Sequence, residues 1–314
     1  MADSNGNNFH QVYAFESVTG RFPCGNIVIA SNGTKLYGVT KFGGLYDSCC
    51  IYCCDLLTGD YNLLHDFYAT QQLGWWDNEG PVFAYDGKLY GVAIDGGANN
   101  SGSIYRFDPD LQQFSAISYF DSINGSNANC LLPLPDSTLC GITWGVGLNN
   151  SGVIFSINPA TDSFKVLYNM VDSTGKGAEG QLILDSGIIY GAANSGGRAI
   201  LNYGTLFSFN LNTGVYTRLY KFDGFAGCDP LNPLVKAPNG KLYGVGRQCG
   251  SNSKGVLFSY DLQTGTYTTE VTFDAGSGYR PEAGLTMGSN GKLYGSNSLG
   301  GVHNGGVIFS YDIN

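Results

Sequence analysis

The sequence predicts an all-β fold, a six-bladed β-propeller, and three observations predict it. A short phrase returns six times, as Leu36-Tyr37-Gly38, Leu89-Tyr90-Gly91, Leu139-Cys140-Gly141, Ile189-Tyr190-Gly191, Leu242-Tyr243-Gly244 and Leu293-Tyr294-Gly295. Its steps of 53, 50, 50, 53 and 51 residues suit one four-stranded blade per repeat. The chain holds 47 Gly, 21 Tyr and 18 Phe, a composition of strands and tight turns and not of disorder. Third, the repeat fills all 314 residues, so 1–314 reads as a single domain.

The second repeat shows the order of elements. Val82 to Tyr85 is a strand, Asp86-Gly87 a hairpin turn, and Lys88 to Ile94 the strand that returns. Ser103 to Asp108 follows as a third strand and Phe114 to Phe120 as a fourth. Third strands recur at Ile51 to Asp55, Ile154 to Asn158, Leu206 to Asn210, Leu257 to Asp261 and Ile308 to Asp312. The last repeat stops where its fourth strand should begin. His10 to Phe15 has the pattern of a fourth-strand ending, like Leu64 to Phe67, Ile117 to Phe120 and Leu219 to Phe222. The N-terminal strand is therefore expected to join the C-terminal blade and close the ring, hiding two sheet edges.

Gly-Lys-Leu-Tyr-Gly followed by Gly-Gly and Gly-Val-Ile-Phe, as in Gly291 to Phe309, with Phe273-Asp274-Ala275-Gly276, resembles the Gloeo_Verruco (GloVer) tandem repeat. The Gly-Gly after the second strand is more loosely kelch-like. The resemblance implies the propeller fold and bacterial surface proteins as company, but no reaction, because its motifs are structural glycines and aromatics. Departures are Cys140 for Tyr, and Val146-Gly147 and Cys249-Gly250 for Gly-Gly.

A net charge of −9 with 16 Lys plus Arg offers no basic stripe for a phosphate backbone. Nucleic acid and membrane are not expected partners. The N-terminus lacks a basic segment followed by an apolar one, and no apolar run is long enough to span a bilayer. Nine cysteines at irregular positions read as reduced thiols, which with the missing leader predicts a cytoplasmic protein. Cys49-Cys50-Ile51-Tyr52-Cys53-Cys54 lies on a third strand, where residues three apart face opposite sides, so no zinc site is expected. No motif calls for a cofactor, and no coiled segment suggests an oligomer, so a monomer is expected.

Candidate site residues come from the loops at the mouth of the channel. Just before the inner strands, one position reads Gly25, Glu79, Ala128, Glu179, Leu231 and Glu282. The next reads Asn26, Gly80, Asn129, Gly180, Asn232 and Ala283. In that register Glu79, Glu179 and Glu282 alternate with Asn26, Asn129 and Asn232. Mutual repulsion would raise a carboxyl pKa and suit a general acid. The same oxygens would also accept a hard cation such as Ca²⁺. Loops after the second strand add Lys41, Asp95, Trp144, Asn194, Arg247 and Asn297, and other mouth loops add Trp75, Trp76 and Arg280. Trp144 could serve as a platform for a sugar or other ring.

These residues point to a small-molecule-binding propeller, an acid/base enzyme of lyase, cyclase, isomerase or hydrolase type without a redox cofactor. The alternative is a non-catalytic module, a lectin or a protein-interaction propeller using loop aromatics such as Trp75, Trp76, Phe22, Phe225 and Tyr279. Unlike loops in each blade argue for one site over a repeated lectin site.

Overall fold

A computed structural model describes residues 11–67, 80–197, 202–230 and 233–313. It contains six antiparallel sheets of four strands each. The first holds β1 (Arg21–Ile29), β2 (Lys35–Phe42), β3 (Cys50–Asp55) and β4 (Tyr61–Asp66); the second β5 (Val82–Phe83), β6 (Leu89–Ala93), β7 (Ser103–Asp108) and β8 (Gln113–Tyr119). The third holds β9 (Ser126–Pro133), β10 (Leu139–Gly145), β11 (Val153–Asn158) and β12 (Ser163–Asn169); the fourth β13 (Lys176–Asp185), β14 (Ile188–Ser195), β15 (Thr205–Asn210) and β16 (Tyr216–Lys221). The fifth holds β17 (Val235–Lys236), β18 (Lys241–Gly246), β19 (Val256–Asp261) and β20 (Thr266–Thr272); the sixth β21 (Tyr279–Pro281), β22 (Thr286–Met287), β23 (Lys292–Leu299) and β24 (Val307–Asp312). The chain divides into two compact units, Met1–Tyr119 with the first two sheets and Phe120–Asn314 with the other four.

Two expectations about the ends and the cysteines need correction. Residues 11–15 form no strand, and the sixth sheet reaches four because β21 and β22 are two pieces that both pair with β23. Cys228 and Cys249 are not reduced thiols but form a disulfide, with Cα atoms 5.5 Å apart. An odd total concealed one pair among seven free cysteines. Cys49, Cys50, Cys53 and Cys54 are all buried. Burial and the nearby Asp66 push the Cys50 thiol up to about 12, so it behaves as a small apolar residue.

The repeated Leu-Tyr-Gly phrase has a packing cause. In β2, β10, β14, β18 and β23 its glycine has no unusual backbone angle. A Cβ there would instead meet the aromatic ring presented by the third strand, from Tyr52, Phe155, Phe207, Phe258 or Phe309. At Gly244 it would lie 2.5 Å from Phe258 Cζ and 2.7 Å from Leu234 Cδ2, both on buried residues. Gly244→Ala is therefore expected to cost about 2 kcal/mol by overpacking. Urea unfolding measures it, and adding Phe258→Leu should restore most of the loss.

The outer strands add a second repeated contact. Tyr220 of β16 stacks on Tyr267 of β20 at 3.8 Å while Phe222 meets Phe258 edge-on at 5.4 Å. Tyr168 stacks on Tyr216 at 4.4 Å in the same unit. In the N-terminal unit His65 stacks on Phe114 at 3.9 Å. There, too, Tyr13 stacks on Tyr61 at 3.9 Å and Phe15 meets Tyr52 at 5.0 Å. Offset and edge-on ring pairs of this kind add to burial energy. Apolar clusters join the first sheet to the second, and within the other unit the third to the fourth, fourth to fifth and fifth to sixth.

Candidate functional site

Strand pairing first corrects the register of the candidate residues. Ala128 lies opposite Thr143, Ala178 opposite Ala193, and Pro281 opposite Asn297. The residues that follow are Asn129, Glu179 and Glu282, so Asn129 shares the glutamate position and Ala128 precedes it. A bulge between Ile142 and Thr143 pairing hides this shift from an alignment by eye.

In the Phe120–Asn314 unit the structure gathers Trp144, Glu179, Asn194, Asp229 and Arg247. The Trp144 indole N–H favours the ionised form of the Glu179 carboxyl. Asn194 Nδ2 donates to Glu179 Oε1 at 3.3 Å. Asn129 Nδ2 donates to the Ala178 carbonyl at 3.1 Å, bracing the backbone just before Glu179. Gly177 has φ +65°, and a Cβ there would lie 2.6 Å from Asn194 Oδ1 and 3.0 Å from Trp144 Nε1. Only glycine both adopts that angle and leaves room for the cluster.

Beside them Arg247 Nε and one terminal nitrogen each lie 2.8 Å from Asp229 Oδ2. Arg247 N–H donates to the Asp229 carbonyl at 3.2 Å, and Cys228 N–H to the Gln248 carbonyl at 3.1 Å. The Cys228–Cys249 disulfide thus ties together the two segments that carry the ion pair. Burial first, then the Asp229 carboxylate, push the Glu179 carboxyl above the usual range, against opposing pulls from Arg247 and Trp144. Trp144 keeps 44% of its surface exposed, so the cluster presents an aromatic face to solvent. The arrangement can hold a proton on one carboxyl while a second stays paired with a guanidinium.

Arg280, Glu282 and Asn297 of the same unit make other contacts. Glu282 is exposed and pairs with Arg280 at 3.0 Å. Asn297 is 2% exposed and donates to the Ser277 carbonyl at 3.4 Å. It stands at the position of buried Thr40 and Thr143, inside the sheet packing. In the N-terminal unit Asn26 and Asp95 are exposed and Lys41 is half-buried. The Asn26 carbonyl lies where a Cβ on Gly80 would sit. Glu79, Trp75, Trp76 and Asn232 lie outside the described residues. Among the described residues no three His, Cys, Asp or Glu gather as a metal ion requires. Sequence reasoning missed Asp229, whose signal was the pair of cysteines flanking the Asp229 and Arg247 segments.

Solved structures show where this fold belongs. TolB from Acinetobacter baumannii is 18% identical over 85% of this chain and 57% of its own, with a TM-score of 0.50. The extracellular domain of a putative hybrid two component system, BT4673 from B. thetaiotaomicron, is 13% identical over 96% of this chain and 34% of its own, with a TM-score of 0.57. A structure from a study of two prolyl endopeptidases is 10% identical over 91% of this chain and 42% of its own, with a TM-score of 0.55. The chain thus spans between about a third and three fifths of these structures, and the likeness shows a β-propeller-like fold. No curated protein matches the sequence. Residues 77–309 match the Gloeobacter/Verrucomicrobia repeat, and the chain belongs to that repeat family.

Proposed function

We propose that this chain is a small-molecule-binding, six-bladed propeller whose Glu179 donates a proton to a polar ligand lying against Trp144. The carrying observation is a half-buried carboxyl, raised in pKa, held by an indole and an amide beside an Arg–Asp pair. A general acid needs such a carboxyl, and the Arg247-paired Asp229 keeps a negative charge beside it that favours the protonated form. Chemistry of lyase, cyclase, isomerase or hydrolase type fits these groups without a redox cofactor. Glu282 is no longer part of the proposal, because Arg280 neutralises it. Ring closure is proposed on the contacts of Tyr13 and Phe15, which repeat on the first sheet the geometry of Tyr220 and Phe222 on the fifth. The disulfide favours an oxidising compartment over the cytoplasm. Capture of a protein partner is the second reading, favoured by Phe22 and Phe225 at 61% and 82% exposure.

Glu179→Gln tests the first reading. An unfolded glutamate titrates near its ordinary value and the folded one above it, so the carboxyl's contribution is fully present below the unfolded value. It is lost as pH rises through the folded one. Glu179→Gln should therefore match wild type in acid and exceed it in stability at neutral pH, as read by urea unfolding. In thermal-shift screening against mono- and disaccharides and small polar amides, wild type should give a hit that Glu179→Gln and Trp144→Ala both lose. A hit indifferent to both substitutions contradicts the assignment.

A further inference from the structure

The N-terminal unit contains a cleft of about 490 Å³ between its two sheets, with Lys35, Tyr37, Phe83, Tyr85, Ile29 and Asp110 in its lining. Lys35 and Tyr37 are two apart on β2 and so share a face. Tyr37 departs from what its equivalents do elsewhere in the chain, and Lys35 from two of its three lysine equivalents. Lys88 is ion-paired with Asp108 at 3.1 Å and Lys292 with Asp312 at 3.5 Å, each across its own sheet. Lys35 faces Asp55 in the same register and its charge helps to lower that carboxyl without closing an ion pair, as Lys241 does for Asp261. Asp55 Oδ1 accepts from the backbone N–H groups of Leu57 and Thr58, as Asp108 Oδ1 does from those of Asp110 and Leu111.

The phenol behaves likewise. Tyr90 donates to Asp86 Oδ2 at 2.8 Å, and Tyr243 and Tyr294 accept from Asn239 and Asn290 at 3.0 and 2.7 Å. In the first sheet the turn is one residue longer, and Asn32 Oδ1 accepts from Thr34 N–H and hydroxyl. The Tyr37 ring is buried, but its hydroxyl is left with no hydrogen-bond partner among the described residues and opens into the cleft. A ligand oxygen in the cleft can take the place of the water that this hydroxyl would otherwise hold. Phe83 lies edge-on to Tyr37 at 5.5 Å, and Tyr85 and Ile29 form an exposed apolar rim.

An ammonium, an unpartnered phenol, a carboxylate and an aromatic wall in one cleft complement a zwitterion with an apolar tail. We propose that this cleft binds a free amino acid with an aromatic or branched side chain. The ligand carboxylate takes Lys35 and Tyr37, its ammonium takes Asp110, and its side chain lies on Phe83 and Tyr85. The corresponding cleft between the third and fourth sheets, about 420 Å³, has Thr138 in place of Lys35. Cys140 replaces Tyr37 there, so that cleft has no phenol, and its one cation is Lys165 of β12, on a different strand from Lys35. The proposal does not depend on the Glu179 site.

Calorimetric titration of the full chain tests it with L-phenylalanine, L-leucine, 3-phenylpropionate and phenethylamine. One of the two amino acids should bind, and the analogues lacking the ammonium or the carboxylate should bind at least about tenfold more weakly. Tyr37→Phe, which removes one oxygen and keeps the ring, and Lys35→Met should each weaken the amino acid by about tenfold. Thr138→Val should leave it unchanged. Binding of neither amino acid, equal affinity in Tyr37→Phe and Lys35→Met, or 3-phenylpropionate binding as tightly as L-phenylalanine would overturn the proposal.

Discussion

Cys228→Ser is expected to lower the stability of the Phe120–Asn314 unit by about 3 kcal/mol, the chain entropy released when a loop of this length is opened. The crosslink spans a separation of 21 residues. It also holds Asp229 and Arg247 in reach, so the loss should come with faster hydrogen exchange at the Arg247 amide, which donates to the Asp229 carbonyl. Urea unfolding of Cys228→Ser, Cys249→Ser and the double variant should give the same loss in all three. Treating wild type with a reductant should reproduce it. Wild-type stability in the singles would mean that the two sulfurs are not joined in solution.

Acidification is expected to destabilise the Met1–Tyr119 unit through His65. Burial lowers the His65 imidazole from 6.5 to about 4, and its Nε2 is buried with no hydrogen-bond partner. A histidine depressed in the fold contributes stability that is complete above the unfolded value. That contribution is lost as pH falls from 6.5 toward about 4, where the unfolded chain binds a proton the folded one refuses. The shift corresponds to about 3 kcal/mol between those limits. The aspartates that gain backbone hydrogen bonds, Asp55, Asp108, Asp261 and Asp274 among them, start at 3.8 and are lowered further, so they act at lower pH. His65→Tyr supplies the ring that Tyr13, Tyr168 and Tyr220 place in the same kind of stack. Unfolding free energies at pH 7 and pH 4 should differ by about 3 kcal/mol less in His65→Tyr than in wild type. An equal dependence in both would contradict the assignment.

The repeated phrase made the sheets legible, because its glycine answers to a steric demand that recurs in five of the six second strands. Third strands were readable to within a residue, as Ile51 to Asp55 against Cys50–Asp55 shows. The N-terminal segment was harder. Tyr13 and Phe15 keep the aromatic spacing of a fourth strand, and their contacts survive, but pattern alone does not make ladder hydrogen bonds. At the site, Glu179 was visible as one of three glutamates alternating with asparagines, and Trp144 and Asn194 as unlike residues at equivalent loop positions. Asn129 was misplaced because a bulge adds a residue without changing the apolar pattern. Asp229 stayed hidden because its role comes from a disulfide, and connectivity among nine cysteines is not written in their spacing. Tyr37 looked like any other motif tyrosine, and one extra turn residue at Thr34 made the difference.

The most direct test of the Glu179 assignment is a crystal structure of the full chain soaked with a mixed pool of sugars and small polar metabolites. The account predicts bound density within hydrogen-bond distance of Glu179 and against the Trp144 ring, with the Trp144 and Asn194 contacts to the carboxyl retained. A Glu179 side chain turned away from Trp144 and Asn194, with density only elsewhere, would contradict it.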